Sequence, residues 1–268
     1  AVERAVVECA YAGCRTIWII CNDDMQSLIR HRLGDWVMDP QSLEASKFVK
    51  FPNWYYKEVP IFYVPIHPDD RDKRDCLAWS VIHGAFISDW VSRTISRWVT
   101  PRKFFVSWPY GVNHFRPIQD NRRAVNSDKR IVFSYEGKTV CDGEYLPFSF
   151  NLDDMKKFKN IIRKKGTGKY EIDHSGQSKN PWNLKLRPMA ERFSARYFDL
   201  EDVFSFDDLK EEEVLELDWY YNISSWDGLC TYLGSEERKL IKRAPKSIMT
   251  YHEFSPIGAD IDIDEEGS

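Results

Sequence analysis

The stretch YGVNHF (110–115) directly follows KFFVSW (103–108), an apolar, aromatic run that predicts a buried strand. Open α/β sheets bind ligands at the edge where their strands end, so Asn113 and His114 are candidates for ligand contacts. A plain turn explains Asn113 equally well, because asparagine tolerates the left-handed backbone of turns. The stretch therefore indicates either a binding site or a structural turn.

Two charged clusters offer further chemistry. The run DDRDKRD (69–75) could bind a cation or a phosphate, but a solvated loop and helix N-terminus is the simpler interpretation, since acidic side chains suit that end of the helix dipole. The basic run KKFKNIIRKKGTGK (156–169) could attract phosphates or nucleic acid. Its clean apolar face favours an amphipathic helix with a basic solvent side. His67, His83 and His174 are too scattered to predict a metal cluster.

Composition limits the function classes. The 268 residues are 43% hydrophobic and 15% aromatic, which indicates a folded globular protein. A formal net charge of -4 gives no overall attraction to nucleic acid or anionic membranes. The longest apolar run, TIWIIC (16–21), is far shorter than the roughly 20 residues that span a bilayer. The cysteines form no C-x-x-C pair and no signal peptide is recognisable, so we expect reduced thiols and a cytoplasmic location.

The elements that must position these residues alternate along the first part of the chain. Residues 1–12 have helical spacing before Gly13, and 15–21 then form an apolar strand. A helix, the strand VPIFYVPIH (59–67), another helix and the strand at 103–108 follow. This order predicts an α/β fold with a Rossmann-like, mostly parallel sheet flanked by helices.

The second half of the chain does not continue this alternation of helices and strands. Residues 130–150 predict antiparallel strands, and 151–166 predict a helix with Asn151 as its N-cap. We expect one domain over residues 1–258 and an acidic, frayed tail at 259–268.

Four short motifs stand in an order that is typical of one family. They are DCLAWSV (75–81), YGVNHF (110–115), GEYLPF (143–148) and WYYNISSWDGLCTY (219–232). In turn they resemble the base-contacting G-T-A-x-A-V helix start, the G-D-N-x-F strand end, the G-x-Y-L-F sugar-pocket pattern and the closing W-x-D-I-G-T-W-E-x-Y of the sugar-phosphate nucleotidyltransferases. The resemblance covers nearly the whole chain. It implies the nucleotide-diphospho-sugar transferase type of fold, nucleotide contacts from Leu77, Ala78, Gly111 and Asn113, and sugar contacts from Gly143, Glu144 and Tyr145.

The chain departs from this family at both metal positions. There the aspartates of G-D-N and D-I-G-T hold the Mg²⁺ that neutralises the triphosphate. Here these positions are Val112 and Asn222, and valine offers no oxygen while asparagine offers only a neutral carbonyl. Asp218 and Asp227 are weak candidate substitutes, and a solvated carboxylate is the simpler interpretation of Asp218.

The stretch AVERAVVECAYAGCRTIWIICN (1–22) resembles a helix and the second strand of the family. In the family this helix is preceded by a phosphate loop, G-x-G-T-R, and no such segment occurs in the sequence. A helix before the first strand also implies an earlier strand, since that helix would be the crossover of a βαβ unit. Either about 25–40 residues are missing from the start, as the size of such a unit suggests, or the protein lacks the loop.

Two functions from different classes remain open. The resemblance implies transfer of a nucleotidyl group from a nucleoside triphosphate to a sugar 1-phosphate, with Mg²⁺ as cofactor and pyrophosphate as the second product. The substitutions Val112 and Asn222 instead favour a catalytically degenerate fold that serves as a binding or structural module in a larger assembly. The residues alone do not decide between enzyme and module.

Overall fold

The computed structural model describes residues 1–42, 58–71, 73–95, 100–168, 186–192, 194, 198–205 and 212–241. In these ranges the helices are α1 (Val2–Ala12), α2 (Asp23–Leu33), α3 (Pro68–Arg71), α4 (Leu77–Thr94), α5 (Arg116–Asp120), α6 (Arg122–Val125), α7 (Leu152–Lys165), α8 (Leu200–Val203) and α9 (Trp226–Gly234). The strands are β1 (Ile17–Cys21), β2 (Trp36–Met38), β3 (Glu58–Pro65), β4 (Lys103–Val106), β5 (Gly111–Asn113), β6 (Arg130–Ser134), β7 (Phe148–Asn151), β8 (Glu212–Glu216) and β9 (Tyr220–Asn222). The acidic tail predicted at 259–268, and the domain boundary before it, lie outside the described residues.

Local sequence signals place the end of one helix and the start of another. Helix α1 ends at Gly13, whose φ of 87° is left-handed and whose N–H donates to the carbonyl of Ala10. Helix α7 begins after Asn151, whose side chain accepts hydrogen bonds from the backbone N–H groups of Asp153 and Asp154. Both ends confirm the sequence prediction.

The described strands form three sheets, of which the first two are mixed. In the first, of order β1-β3-β2, β1 runs parallel to β3 and β2 runs antiparallel to it. In the second, of order β4-β7-β6-β8, β6 and β8 are parallel and the other two pairings are antiparallel. The third is an antiparallel pair of β5 and β9. The architecture is therefore mixed α/β with helices against the sheets.

The prediction of a mostly parallel sheet was wrong for the strand at 103–108. Strand β4 does not join β1 and β3 but pairs antiparallel with β7, with Phe104 opposite Phe150. Apolar periodicity identifies a buried strand but carries no information about which edge it meets. The partner here is decided by aromatic packing, since the Phe104 and Phe150 rings lie 5.2 Å apart between centroids.

An aromatic cluster forms the core of the second sheet. Phe148 and Phe150 of β7 are fully buried, and Phe204 and Phe158 pack on them with centroid distances of 4.9 Å and 5.7 Å. Trp108 joins this core and its indole N–H donates to the carbonyl of Leu146 at 3.1 Å. A second core lies between α1 and the first sheet. Among the described residues, no helix combines the length and apolar character needed to cross a membrane.

Lys103 at the start of β4 carries a pH prediction. Burial lowers its pKa to about 8, although its ammonium donates to the backbone carbonyls of Ser127 and Lys129. The pKa of a lysine in the unfolded chain is about 10.4. Between pH 8 and 10.4 the folded state therefore binds fewer protons than the unfolded state. The wild-type free energy of unfolding minus that of Lys103→Met should therefore increase as the pH rises from 8 to 10. The increase should be less than about 1.4 kcal/mol per pH unit.

Urea unfolding of both proteins at pH 7, 8, 9 and 10 measures this difference. Groups such as Tyr63, whose pKa burial raises to about 12, titrate in both proteins and cancel. A difference between the two proteins that stays constant with pH would contradict the prediction.

Candidate functional site

Two of the family-like motifs meet in one small sheet. Strand β5 pairs antiparallel with β9 so that Gly111, Val112 and Asn113 lie opposite Asn222, Tyr221 and Tyr220, respectively. We call this pair the β5–β9 ribbon. Its two strands come from parts of the chain that are far apart in sequence, and the resemblance had placed a site residue on each of them.

The third motif lies against this ribbon. The backbone N–H of Tyr145 donates to the hydroxyl of Tyr220 at 3.0 Å, and that hydroxyl donates to a carboxylate oxygen of Glu144 at 3.3 Å. The side-chain amide of Asn222 reaches the same oxygen at 3.5 Å. We call Glu144, Tyr145, Tyr220 and Asn222 the Glu144 cluster. The structure thus brings two predicted sugar-contact residues next to a predicted metal position.

Gly111 makes this approach sterically feasible. A Cβ atom at this position would lie 2.0 Å from the backbone oxygen of Tyr145, which is far inside any allowed contact. Only glycine lets β5 come this close to the 143–148 segment. Gly143 has a different role, since its φ of 85° ends the short 3-10 turn Val140–Asp142 in the left-handed region.

Val112 and Asn222 do not fit a shared magnesium site. Directly opposite residues of an antiparallel pair face the same side, so Val112 shares a side with Tyr221 and Asn222 faces the other. Val112 is 3% exposed and has no donor oxygen. The side-chain oxygen Oδ1 of Asn222 already accepts hydrogen bonds from the backbone N–H and the hydroxyl of Ser224, at 3.0 Å and 2.7 Å.

The suggested substitutes lie apart from these positions. Asp218 is exposed just before β9, and Asp227 is exposed in the first turn of α9. Within the described ranges, no three His, Cys, Asp or Glu side chains come together as a metal-binding group. The described geometry therefore gives Mg²⁺ no set of anionic ligands in the ribbon.

Three of the predicted nucleotide-contact residues lie outside the Glu144 cluster. Asn113 is 1% exposed, accepts a hydrogen bond from Arg4 at 3.3 Å and donates to the carbonyl of His114 at 3.2 Å. Ala78 is fully buried and Leu77 half-buried in the first turn of α4, where both pack with the aromatic core. These three side chains thus already serve as packing or hydrogen-bonding partners within the fold.

Sequence reasoning missed the group that holds the ribbon in place. Arg4 of α1 forms an ion pair with Glu8 at 2.5 Å and donates to the backbone carbonyls of Trp108, at 2.9 Å, and Gly111. Glu8 is fully buried, and this burial raises the pKa of its carboxyl, which Arg4 partly offsets. An Arg and a Glu four residues apart on a mostly apolar helix were the available signal.

Aromatic rings surround the Glu144 cluster. Tyr110 is 39% exposed and its ring centroid lies 5.3 Å from that of Tyr145. The ring of Tyr135 lies 6.0 Å from that of Tyr220, which belongs to the cluster. Exposed aromatic faces beside a carboxylate and an amide suit a ligand with one apolar face and several hydroxyl groups.

The chain was also compared with known proteins. No protein-family model matches it, and no curated protein matches it significantly.

Proposed function

We propose that this chain has the Rossmann-like fold of the nucleotide-diphospho-sugar transferases and uses the Glu144 cluster to bind the sugar of a sugar phosphate or nucleotide sugar. One observation carries the proposal: the motifs at 143–148 and 219–232 meet at Glu144, Tyr220 and Asn222, which are joined by hydrogen bonds, and the motif at 110–115 pairs with the second of them. A ligand pocket built from convergent polar groups and aromatic rings is typical of small-molecule sites.

The residues of the Glu144 cluster and its neighbours would contact different parts of the ligand. The Glu144 carboxylate is an acceptor for sugar hydroxyls, and charged acceptors make the stronger hydrogen bonds. Tyr110 and Tyr145 offer ring faces to the apolar side of the sugar. The ammonium of Lys138 lies 3.9 Å from Glu144 and is mostly exposed, which suits a phosphate at the rim.

In this proposal the chain binds its ligand without metal-dependent transfer, as a module of a larger assembly. The substitution of both metal positions supports it, because nucleotidyl transfer depends on positioning and on charge neutralisation more than on covalent chemistry by the protein. The second candidate is nucleotidyl transfer from a nucleoside triphosphate to a sugar 1-phosphate. It is favoured by the Glu144 carboxylate, which places one anionic oxygen beside Asn222.

Calorimetry separates the two candidates. We expect UDP-glucose or glucose 1-phosphate to bind equally well with Mg²⁺ and with a chelator, and no pyrophosphate to form when UTP, dTTP, CTP or GTP is added. Mg²⁺-dependent binding of a triphosphate, followed by pyrophosphate release, would support the transferase instead. Failure of every sugar phosphate and triphosphate to bind would contradict both candidates.

Replacing Glu144 by glutamine tests the binding site directly. The amide keeps an acceptor for the Tyr220 hydroxyl but loses the charge, so we expect the affinity for UDP-glucose to fall about tenfold or more. The midpoint of thermal unfolding should change little. Glu213→Gln, at a partly exposed carboxylate on β8, is the matched control and should leave the affinity unchanged. Equal affinities of Glu144→Gln and wild type would contradict the assignment.

A further inference from the structure

Two cysteines flank the turn that ends helix α1. Cys9 lies in the last turn of the helix, and Cys14 is the second residue after it. In an uninterrupted helix, residues five positions apart point about 140° away from each other and lie about 7.5 Å apart along the axis. That rise alone exceeds the distance of about 4.4–6.8 Å that a disulfide bond allows between two Cα atoms. A continued helix would therefore keep the two thiols apart.

The turn at Gly13 brings the two cysteines together. The N–H of Cys14 donates to the carbonyl of Cys9 at 3.1 Å, and the N–H of Gly13 donates to the carbonyl of Ala10 at 3.0 Å. These two hydrogen bonds and the left-handed φ of Gly13 define a Schellman motif. The side chains of the residues joined by the longer of these loops frequently touch in this motif. In this chain both of those residues are cysteines.

The thiols of Cys9 and Cys14 interact in the structure. A hydrogen bond with Cys14, together with burial, raises the pKa of the Cys9 thiol well above its usual value. Both side chains pack against the apolar core between α1 and the first sheet. Both residues nevertheless remain partly exposed, which leaves the pair open to a small reagent.

The surrounding fold also holds this turn in place. The carbonyls of Ala10 and Ala12 accept hydrogen bonds from the side chains of Arg122 and Asn126, at 3.4 Å and 2.7 Å. The loop between the two cysteines is thus closed before any bond joins their sulfur atoms. Folding has already met the entropic cost of bringing the thiols together, which favours reaction between them.

We propose that Cys9 and Cys14 form a reversible oxidation site, at which a small-molecule disulfide such as glutathione disulfide converts the two thiols into one intramolecular disulfide bond. The bond crosses the turn between α1 and β1, and reduced glutathione reverses it. The structure shows the reduced form, in which both cysteines are free. The site is independent of the Glu144 cluster.

The reaction proceeds by two exchange steps. The Cys14 thiolate attacks one sulfur of glutathione disulfide, so that a bond forms between Cys14 and one glutathione while the other leaves as a thiolate. Cys14 reacts first because Cys9 holds its proton more tightly than an ordinary thiol. Cys9 then releases its proton to water, and its sulfur attacks that of Cys14 and expels the second glutathione. The two thiols lose two electrons and two protons, and glutathione disulfide is reduced to two molecules of glutathione.

Peptide mass spectrometry tests this site in the full chain. The folded protein is equilibrated with reduced glutathione and glutathione disulfide in known ratios, and free thiols are then alkylated before digestion with trypsin. Cleavage after Arg4 and Arg15 leaves both cysteines in one peptide, residues 5–15. An internal disulfide lowers the mass of this peptide by two hydrogen atoms and blocks its alkylation, whereas a bound glutathione raises the mass.

We expect the equilibrium constant for the internal disulfide to be about tenfold or more larger in the folded chain than in concentrated urea, because the turn holds the thiols together. Cys9→Ser should instead retain glutathione on Cys14, since the thiol that expels it is absent. The exposed Cys230 is the internal control and should also retain glutathione. Equal constants in the folded and unfolded chain would overturn the proposal, and so would a wild-type peptide that retains as much glutathione as Cys9→Ser.

Discussion

Replacing Arg4 by methionine is expected to lower the free energy of unfolding by about 3–5 kcal/mol, because it leaves the Glu8 carboxylate buried without a countercharge. It also removes the donors to the carbonyls of Trp108 and Gly111, so the end of β4 and the start of β5 lose their link to α1. Denaturant unfolding at neutral pH measures the change.

Two further variants show whether the effect comes from the buried charge. The double variant Arg4→Met, Glu8→Leu removes both charges, and we expect it to recover much of the lost stability. Arg30→Met breaks an ion pair with Asp35 in which the arginine side chain is 53% exposed, and it should cost less than about 1 kcal/mol. A single Arg4 variant no less stable than Arg30→Met would contradict the role assigned to this pair.

Replacing Gly111 by alanine is expected to disrupt the candidate site. The added methyl group would lie 2.0 Å from the Tyr145 carbonyl oxygen, so β5 and the 143–148 segment must separate. We expect a loss of about 3 kcal/mol in the free energy of unfolding, the upper range of overpacking costs. Binding of UDP-glucose should weaken as well, since the hydrogen bond from Tyr145 to Tyr220 is displaced.

Gly234→Ala is the matched control for this substitution. Gly234 ends α9, and a Cβ atom there has no neighbour within 4 Å. The added methyl group should therefore leave binding unchanged and stabilise the protein by up to about 1 kcal/mol. If Gly111→Ala is as stable as Gly234→Ala and binds the ligand equally well, the close approach of β5 to Tyr145 is not required.

The part of the site that sequence could predict is the part carried by motifs. The resemblance singled out Glu144, Tyr145 and Asn222, and the structure brings these residues together. It could not predict that Asn113 would be buried against Arg4, because that contact joins residues 109 positions apart. Nor could it predict that Val112 and Asn222 face opposite sides of the ribbon, since the register of two strands depends on their pairing.

The sequence by itself determined the local elements: the helix that ends at Gly13, the helix capped by Asn151, and the apolar strands of an α/β protein. Their signals are periodicity and capping, which act between residues a few positions apart. Only the tertiary structure decided that β4 pairs with β7, that β5 meets β9, and that Arg4 joins α1 to both strand ends. These choices depend on the shapes and charges of surfaces from distant parts of the chain, and no local pattern encodes them.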